Sequence, residues 1–314
     1  MKVTFLEPLG IPHEKLIALS NSLQDNGMEL ITFSDRNEDE AELIKRTADS
    51  EIVVVSNIKL SEHYINSCKE LKMISVAFTG VDHIDIEACT KKGITVCNAA
   101  GYSTDAVAEL TIGMIISVYR NISGGDATTR FGGHRAGLLG TELKGKTLGI
   151  IGAGAIGTRV AELANAFKCK VVAYSRTNKD IANVEFIDLD TLLKTSDIVS
   201  VHVPLNEKTK GIIGKREFTI MKESAIFINT ARGPIVESSA LDYALNEKEI
   251  AGAAVDVYET EPPLPSDHIL FTSQNLLMLP HIAYATKEAF DIRADIVVDN
   301  IISWKKGNTK NKVN

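Results

Sequence analysis

Two patterns alternate along the chain. Short apolar runs rich in Val and Ile are separated by stretches in which apolar residues recur at helical spacing. The first series of runs is K-V-T-F-L, M-E-L-I-T-F, E-I-V-V-V-S, K-M-I-S-V-A-F and I-T-V-C-N. The second is K-T-L-G-I-I-G, K-V-V-A-Y-S, D-I-V-S-V-H-V, A-I-F-I-N-T, G-A-A-V-D-V and N-L-L-M-L-P. Continuous rather than alternating apolar character marks strands covered on both faces. Strands that alternate with helices form parallel sheets through right-handed crossovers. Two series in succession therefore predict two α/β parallel-sheet domains.

Between the series lies A-V-A-E-L-T-I-G-M-I-I-S-V-Y-R, apolar enough for a buried helix and read as the connection into the second domain. A Gly-rich polar stretch, S-G-G-D-A-T-T-R-F-G-G-H-R-A-G, follows it. After the last run, T-K-E-A-F-D-I-R-A-D-I-V-V-D-N-I-I-S-W-K-K-G reads as an amphipathic helix stopped by Gly307 and returning to the first domain.

Composition narrows the class without naming a reaction. With 314 residues, 44% of them apolar and 24% charged, the chain is an ordinary globular protein of about two domains, neither disordered nor fibrous. Lys and Arg number 34 against 41 Asp and Glu, a formal charge of −7, and the one basic run is the tail K-K-G-N-T-K-N-K. Nucleic acid is therefore not an expected partner. The four cysteines form no C-x-x-C pair, which suits reduced thiols in a cytoplasm. M-K-V-T-F-L-E-P enters a strand directly, resembling neither an export signal nor a membrane span.

The most specific local motif is I-I-G-A-G-A-I-G at 150–157, set between a strand and a helix. Gly152 suits a tight turn, Gly154 a close backbone approach to a pyrophosphate, and Gly157 tight helix packing, with the helix N-terminus facing the anion. The next strand ends in Ser175-Arg176, where a ribose-binding acid is expected. An acid repels a 2′-phosphate, whereas a hydroxyl beside a guanidinium binds one, so this ending predicts NADPH. The competing reading is a polar strand end, with NADH bound without the acidic contact. Thr177 and Lys179 flank the same place.

Three further stretches complete the pattern: N-T-A-R-G-P-I-V at 229–236, D-V-Y-E-T-E-P-P at 256–263 and L-P-H-I-A at 279–283. With T-G-V-D-H-I-D at 79–85, N-A-A-G-Y-S-T-D-A-V-A-E at 98–109 and H-V-P-L-N-E-K-T-K at 202–210, the chain resembles the D-isomer-specific 2-hydroxyacid dehydrogenases over almost its whole length. The resemblance implies a flavodoxin-like substrate-binding domain formed by residues 1–98 with 285–314. It implies a dinucleotide-binding Rossmann domain over 99–284, with a cleft between the two. The family's Arg, Glu and His align with Arg232, Glu261 and His281.

Those residue types suit reduction of a 2-keto acid, which adds a hydride at C2 and a proton at its oxygen. Arg232 would grip the carboxylate and polarise the keto oxygen, a task for a planar, permanently charged fork. His281 would exchange the proton, and Glu261 would fix the ring's tautomer and stabilise its protonated form. Singly, each has a plain alternative: a surface Arg, a Glu solvating the turn before Pro262, a structural His. Their order beside a dinucleotide turn favours the joint reading. The resemblance further implies a backbone anchor for the substrate carboxylate at Thr79-Gly80 and a nicotinamide-amide contact for Asp256. Further cofactor contacts are implied at Thr104, Ala155, Ile156, His202, Pro204, Thr209 and Thr230. No support attaches to His13, His63, His83, His134 or His268, and no metal is expected.

The expected substrate is a small 2-keto or 2-hydroxy acid, glyoxylate or hydroxypyruvate first, because the Ser-Arg strand end is similar to that of NADPH-dependent reductases of these acids. Its side chain would be read by loops such as 56–60 and 78–83. A short-form D-3-phosphoglycerate dehydrogenase is the second enzyme reading, and a dinucleotide-sensing corepressor is a reading of another class. The resemblance also implies a homodimer joined through the cofactor domains.

Overall fold

A computed structural model describes residues 1–177 and 180–314, so Lys179 lies outside the described residues. The chain forms two compact units, Met1–Ser103 with Ala285–Asn314, and Thr104–Tyr284.

The first unit contains a parallel sheet of β1 (Lys2–Phe5), β2 (Glu29–Thr32), β3 (Ile52–Val55), β4 (Met73–Val76) and β5 (Thr95–Cys97), in the order β2-β1-β3-β4-β5. Every residue of β3 and β4 is buried, as their unbroken apolar runs require, while edge strand β2 exposes Glu29 and Thr32. The strand order reverses between β1 and β3, so the loops leaving these two strands diverge at the carboxyl edge, where doubly wound sheets hold ligands. The helix Lys287–Lys305, capped by Thr286 on the Ala289 N–H, packs on this sheet. It buries Val297, Val298 and Ile301 and accepts the Ser75 hydroxyl at the Val297 carbonyl. Asn300 binds the Asn98 carbonyl, and the Trp304 indole N–H reaches Thr95.

The second unit contains β6 (Thr147–Ile151), β7 (Lys170–Tyr174), β8 (Val184–Phe186), β9 (Ile198–Val201), β10 (Ile226–Asn229), β11 (Gly252–Val255) and β12 (Leu276–Met278), all parallel, in the order β12-β11-β10-β9-β6-β7-β8. Here the order reverses between β6 and β9. The helix Thr104–Arg120 packs on this sheet and buries Val107, Ile112, Met114 and Ile115, among others.

Two elements depart from the sequence expectation. Strand β8 lacks an apolar run because it is a three-residue edge strand with Glu185 exposed. The Gly-rich polar stretch is helical over Ile122–Arg130, supported by an Asp126–Arg130 ion pair one turn apart and by the Thr129 hydroxyl on the Gly125 carbonyl. This helix buries none of its residues, so hydrophobic periodicity has nothing to report. Among the described residues, no helix is long and apolar enough to cross a membrane.

Candidate active site

At the order reversal of the second unit, Gly152 leaves β6 and meets the ends of both neighbouring strands. Its N–H bonds the Tyr174 carbonyl at the end of β7, and the His202 N–H, beyond β9, bonds the Ile151 carbonyl. Gly152 has φ +105°, and a Cβ there would lie 2.6 Å from the His202 carbonyl oxygen. A Cβ on Gly157 would sit 2.0 Å from the Gly152 carbonyl, so only glycine lets the helix Ala155–Ala166 start this close to the turn. A Cβ on Gly154 would meet nothing within 4 Å. Gly154 is also the N-cap and has no side-chain cap, so the opening N–H groups of Ala155 and Ile156 are left for a ligand. Tight inner packing with an open outer face fits a pyrophosphate at a helix N-terminus. Beyond β7, Ser175 is half-buried and Arg176 exposed, and among the described residues no carboxylate pairs with Arg176.

The three residues of the expected chemistry come together at the same carboxyl edge. His281 Nδ1 lies 2.7 Å from Glu261 Oε2. The hydrogen bond from His281, together with the charges of His281 and Arg232, holds the Glu261 carboxyl below the usual carboxylate range, against the effect of burial. With Nδ1–H committed to Glu261, Nε2 is the nitrogen left to exchange a proton with a ligand. The imidazole rests edge-on against Tyr284, ring centroids 5.3 Å apart.

Backbone braces hold both ends of this cluster. Arg232 follows β10, where the buried Asn229 side chain closes the turn: its amide N–H₂ donates to the Arg232 carbonyl and its oxygen accepts the Ala231 N–H, each at 3.0 Å. His281 has φ +57°, a left-handed conformation uncommon outside glycine, Asn and Asp. The next two N–H groups, of Ile282 and Ala283, donate to the two oxygens of Asp256, each at 2.8 Å. Burial pushes the Asp256 carboxyl up, while these N–H groups and the His281 charge act in the opposite direction. Left-handed residues held by buried bonds cluster at functional sites, and here the residue so held is the candidate acid.

A family model for the NAD binding domain of D-isomer specific 2-hydroxyacid dehydrogenases matches residues 112–283. The chain belongs to this family. It is 42% identical over 274 residues to a glyoxylate reductase of Thermococcus litoralis, covering 83% of this chain and 82% of that one. It is 38% identical over 313 residues to a D-3-phosphoglycerate dehydrogenase of Archaeoglobus fulgidus; these are 98% of this chain but 58% of that enzyme. Among solved structures, an acyclic imino acid reductase in complex with NADPH and D-Arg superposes with a TM-score of 0.92 at 30% identity, each chain covered in full.

The remaining expected residues of this 2-hydroxyacid dehydrogenase divide by unit and by environment. Thr79, exposed, and Gly80 follow β4 in the first unit, where Asn98 donates to the Thr79 carbonyl at 2.8 Å. In the second unit Thr104 opens its helix, and the buried Thr230 hydroxyl shares a bond with Thr111. His202 Nε2 meets the Ser200 hydroxyl at 2.8 Å, and burial pushes its imidazole down to about 4, leaving the ring uncharged at neutral pH. Thr209 spends its hydroxyl on the Pro204 carbonyl and accepts the Asn206 N–H, closing the 204–209 turn. Asp256 is fully buried with both oxygens on the His281 loop, so its observed work is to brace that loop. Asn229 is the residue that sequence reasoning passed over, although it begins the N-T-A-R-G run.

Proposed function

We propose that this 2-hydroxyacid dehydrogenase reduces a small 2-keto acid with NADPH, glyoxylate or hydroxypyruvate being the substrates favoured, and forms the D-2-hydroxy acid. The observation that carries the reading is the Glu261–His281 pair at 2.7 Å with the Arg232 charge beside it, in the unit that bears the dinucleotide turn. Bound NADPH supplies a hydride to the keto carbon. Arg232 holds the substrate carboxylate and draws electron density toward the keto oxygen, which receives its proton from His281 Nε2. Glu261 orients the ring and balances its charge while protonated. Asn229 and Asp256 keep the two catalytic side chains from drifting.

NADPH is preferred on two grounds: Ser175-Arg176 in place of an acid, and the NADPH carried by the similar imino acid reductase. Phosphoglycerate dehydrogenase is the second reading, supported by alignment along 98% of the chain. The intact trio argues against a purely sensing role.

A homodimer is proposed through the arm of the second unit. Phe131 is 91% exposed and Leu139 fully exposed, beside a helix with no buried residue, and a second copy covering them removes that apolar surface from water. Light scattering checks this: wild type at the dimer mass and a Phe131→Ser/Leu139→Ser double variant at the monomer mass support it, and a monomeric wild type contradicts it. The activity is tested by initial rates with glyoxylate and hydroxypyruvate, each with NADPH and with NADH. Faster turnover with NADPH is expected, and no turnover with either acid sinks the reading.

A further inference from the structure

Tyr258, three residues beyond β11, touches both ends of the Arg232–His281 cluster. It is buried in the core of the second unit with Ile235 and Leu270. Its backbone closes on the Arg232 turn: a Cβ on Gly233, the residue after Arg232, would lie 1.9 Å from the Tyr258 carbonyl carbon and 2.0 Å from its oxygen. Gly233 is not left-handed, so lack of room rather than backbone conformation demands glycine there. The Tyr258 side chain meets the other turn, its hydroxyl donating to the Leu279 carbonyl at 2.8 Å. Burial, and after it the charge of Asp256, pushes the phenol up to about 12, so the hydroxyl remains a donor well above neutrality.

Leu279 is held at both of its backbone groups, since its N–H also donates to the Val255 carbonyl at 2.9 Å. Only Pro280 and left-handed His281 lie between the Leu279 carbonyl and the Ile282 N–H that Asp256 accepts. Tyr258 and Asp256 therefore grip the chain on either side of the candidate acid. The phenol ring is fixed in turn. His268 lies edge-on to it, centroids 5.9 Å apart and planes at 87°. That imidazole is tied at both nitrogens, Nδ1 accepting the Leu270 N–H at 3.3 Å and Nε2 facing Glu259 Oε2 at 3.4 Å. His268, which the sequence left without a role, thus stands behind Tyr258.

We infer that Tyr258 is a positioning residue for the reduction, which fixes the Arg232 turn through Gly233 and the His281 turn through Leu279 and so sets the spacing between the group that grips the carboxylate and the group that supplies the proton. The inference rests on the keto-acid reading above, and every residue in it belongs to the second unit. A 2-keto acid carries its carboxylate and its keto oxygen on adjacent carbons, so the two groups have to meet it at one spacing. A misplacement of about 1 Å costs up to about 10²-fold in rate. Tyr258 acts through Arg232 and His281, not on the reacting atoms.

The test is single-turnover NADPH oxidation with hydroxypyruvate and glyoxylate for the wild type, Tyr258→Phe, His281→Asn and the double variant. Tyr258→Phe keeps the ring and removes only the bond to Leu279. It should slow hydride transfer by about tenfold or more, with the steady-state KM of the acid changing less than about threefold and NADPH affinity unmoved. In the His281→Asn background the same change should cost less than about twofold, because there is no longer an acid to misplace. A residue that merely stabilises the unit would cost the same factor in both backgrounds. Gly233→Ala disturbs the Arg232 turn instead and should raise the KM of the acid by about tenfold; if it does not fold, the Tyr258→Phe cycle decides. An undiminished rate in Tyr258→Phe, or equal losses in the two backgrounds, overturns the inference alone. A wild type inactive on both acids overturns the reductase reading and the inference with it.

Discussion

His281 directs Nδ1 at Glu261 Oε2, 2.7 Å away, and thereby leaves Nε2 as the ring nitrogen able to exchange a proton with a ligand. If that nitrogen delivers the proton to the keto oxygen, His281→Asn should slow single-turnover reduction by about 10²–10⁴-fold. NADPH affinity, read by fluorescence titration, should stay within about twofold, since no part of the dinucleotide turn depends on the imidazole. Undiminished hydride transfer would remove His281 from the chemistry.

Glu261 is held below the ordinary carboxylate range chiefly by the hydrogen bond from His281. A depressed acid adds stability above its unfolded value, and that contribution is lost as pH falls through the depressed value. The Glu261 side chain is 64% exposed, so activity rather than stability is the useful readout. Reduction should persist on the acid side to a pH below the usual Glu value of about 4.3. In Glu261→Gln the acceptor oxygen survives without its charge, so the acid-side limb set by the carboxylate should disappear. A pH profile of hydride transfer identical in both forms would contradict the pairing.

Asp256 accepts two N–H groups from the residues that follow left-handed His281. Asp256→Asn turns an amide N–H₂ toward one of them and leaves a buried donor without an acceptor, at a cost of about 1–3 kcal/mol. A melting temperature lower by several degrees is expected, with kcat reduced because the acid loses its position. An unchanged melting temperature with full kcat would show that the loop holds without the brace.

Much of this arrangement is visible in the sequence because its causes are local. Ile52–Val55 and Ile226–Asn229 are buried on both faces and therefore read as unbroken apolar runs. Gly152 and Gly157 are legible because collisions with neighbouring backbone forbid any other residue. The elements that escaped have causes with no period. Val184–Phe186 is an edge strand too short to repeat, and Ile122–Arg130 has no buried face. The bonds of Asn229 to Ala231 and Arg232, of Asp256 to residues 282 and 283, and of Glu7 to residues 56 and 57 join side chain to backbone within or across loops. Such bonds leave only a residue type behind, and that type fits a surface equally well.

On the proposed reading, Arg176 is the residue on which the cofactor preference would turn. Arg176→Asp exchanges a cation for an anion where the 2′-phosphate would rest, and the NADPH/NADH ratio of kcat/KM should fall by about 10²-fold or more. A ratio unmoved by this change would mean that the phosphate is bound elsewhere.

The central claim is that Arg232, Glu261 and His281 reduce a small 2-keto acid. It is tested most directly by NADPH oxidation with hydroxypyruvate and glyoxylate, measured side by side for the wild type and His281→Asn. The account predicts turnover by the wild type that the variant loses. Inactivity of the wild type on both acids, or equal rates in the two proteins, would contradict it.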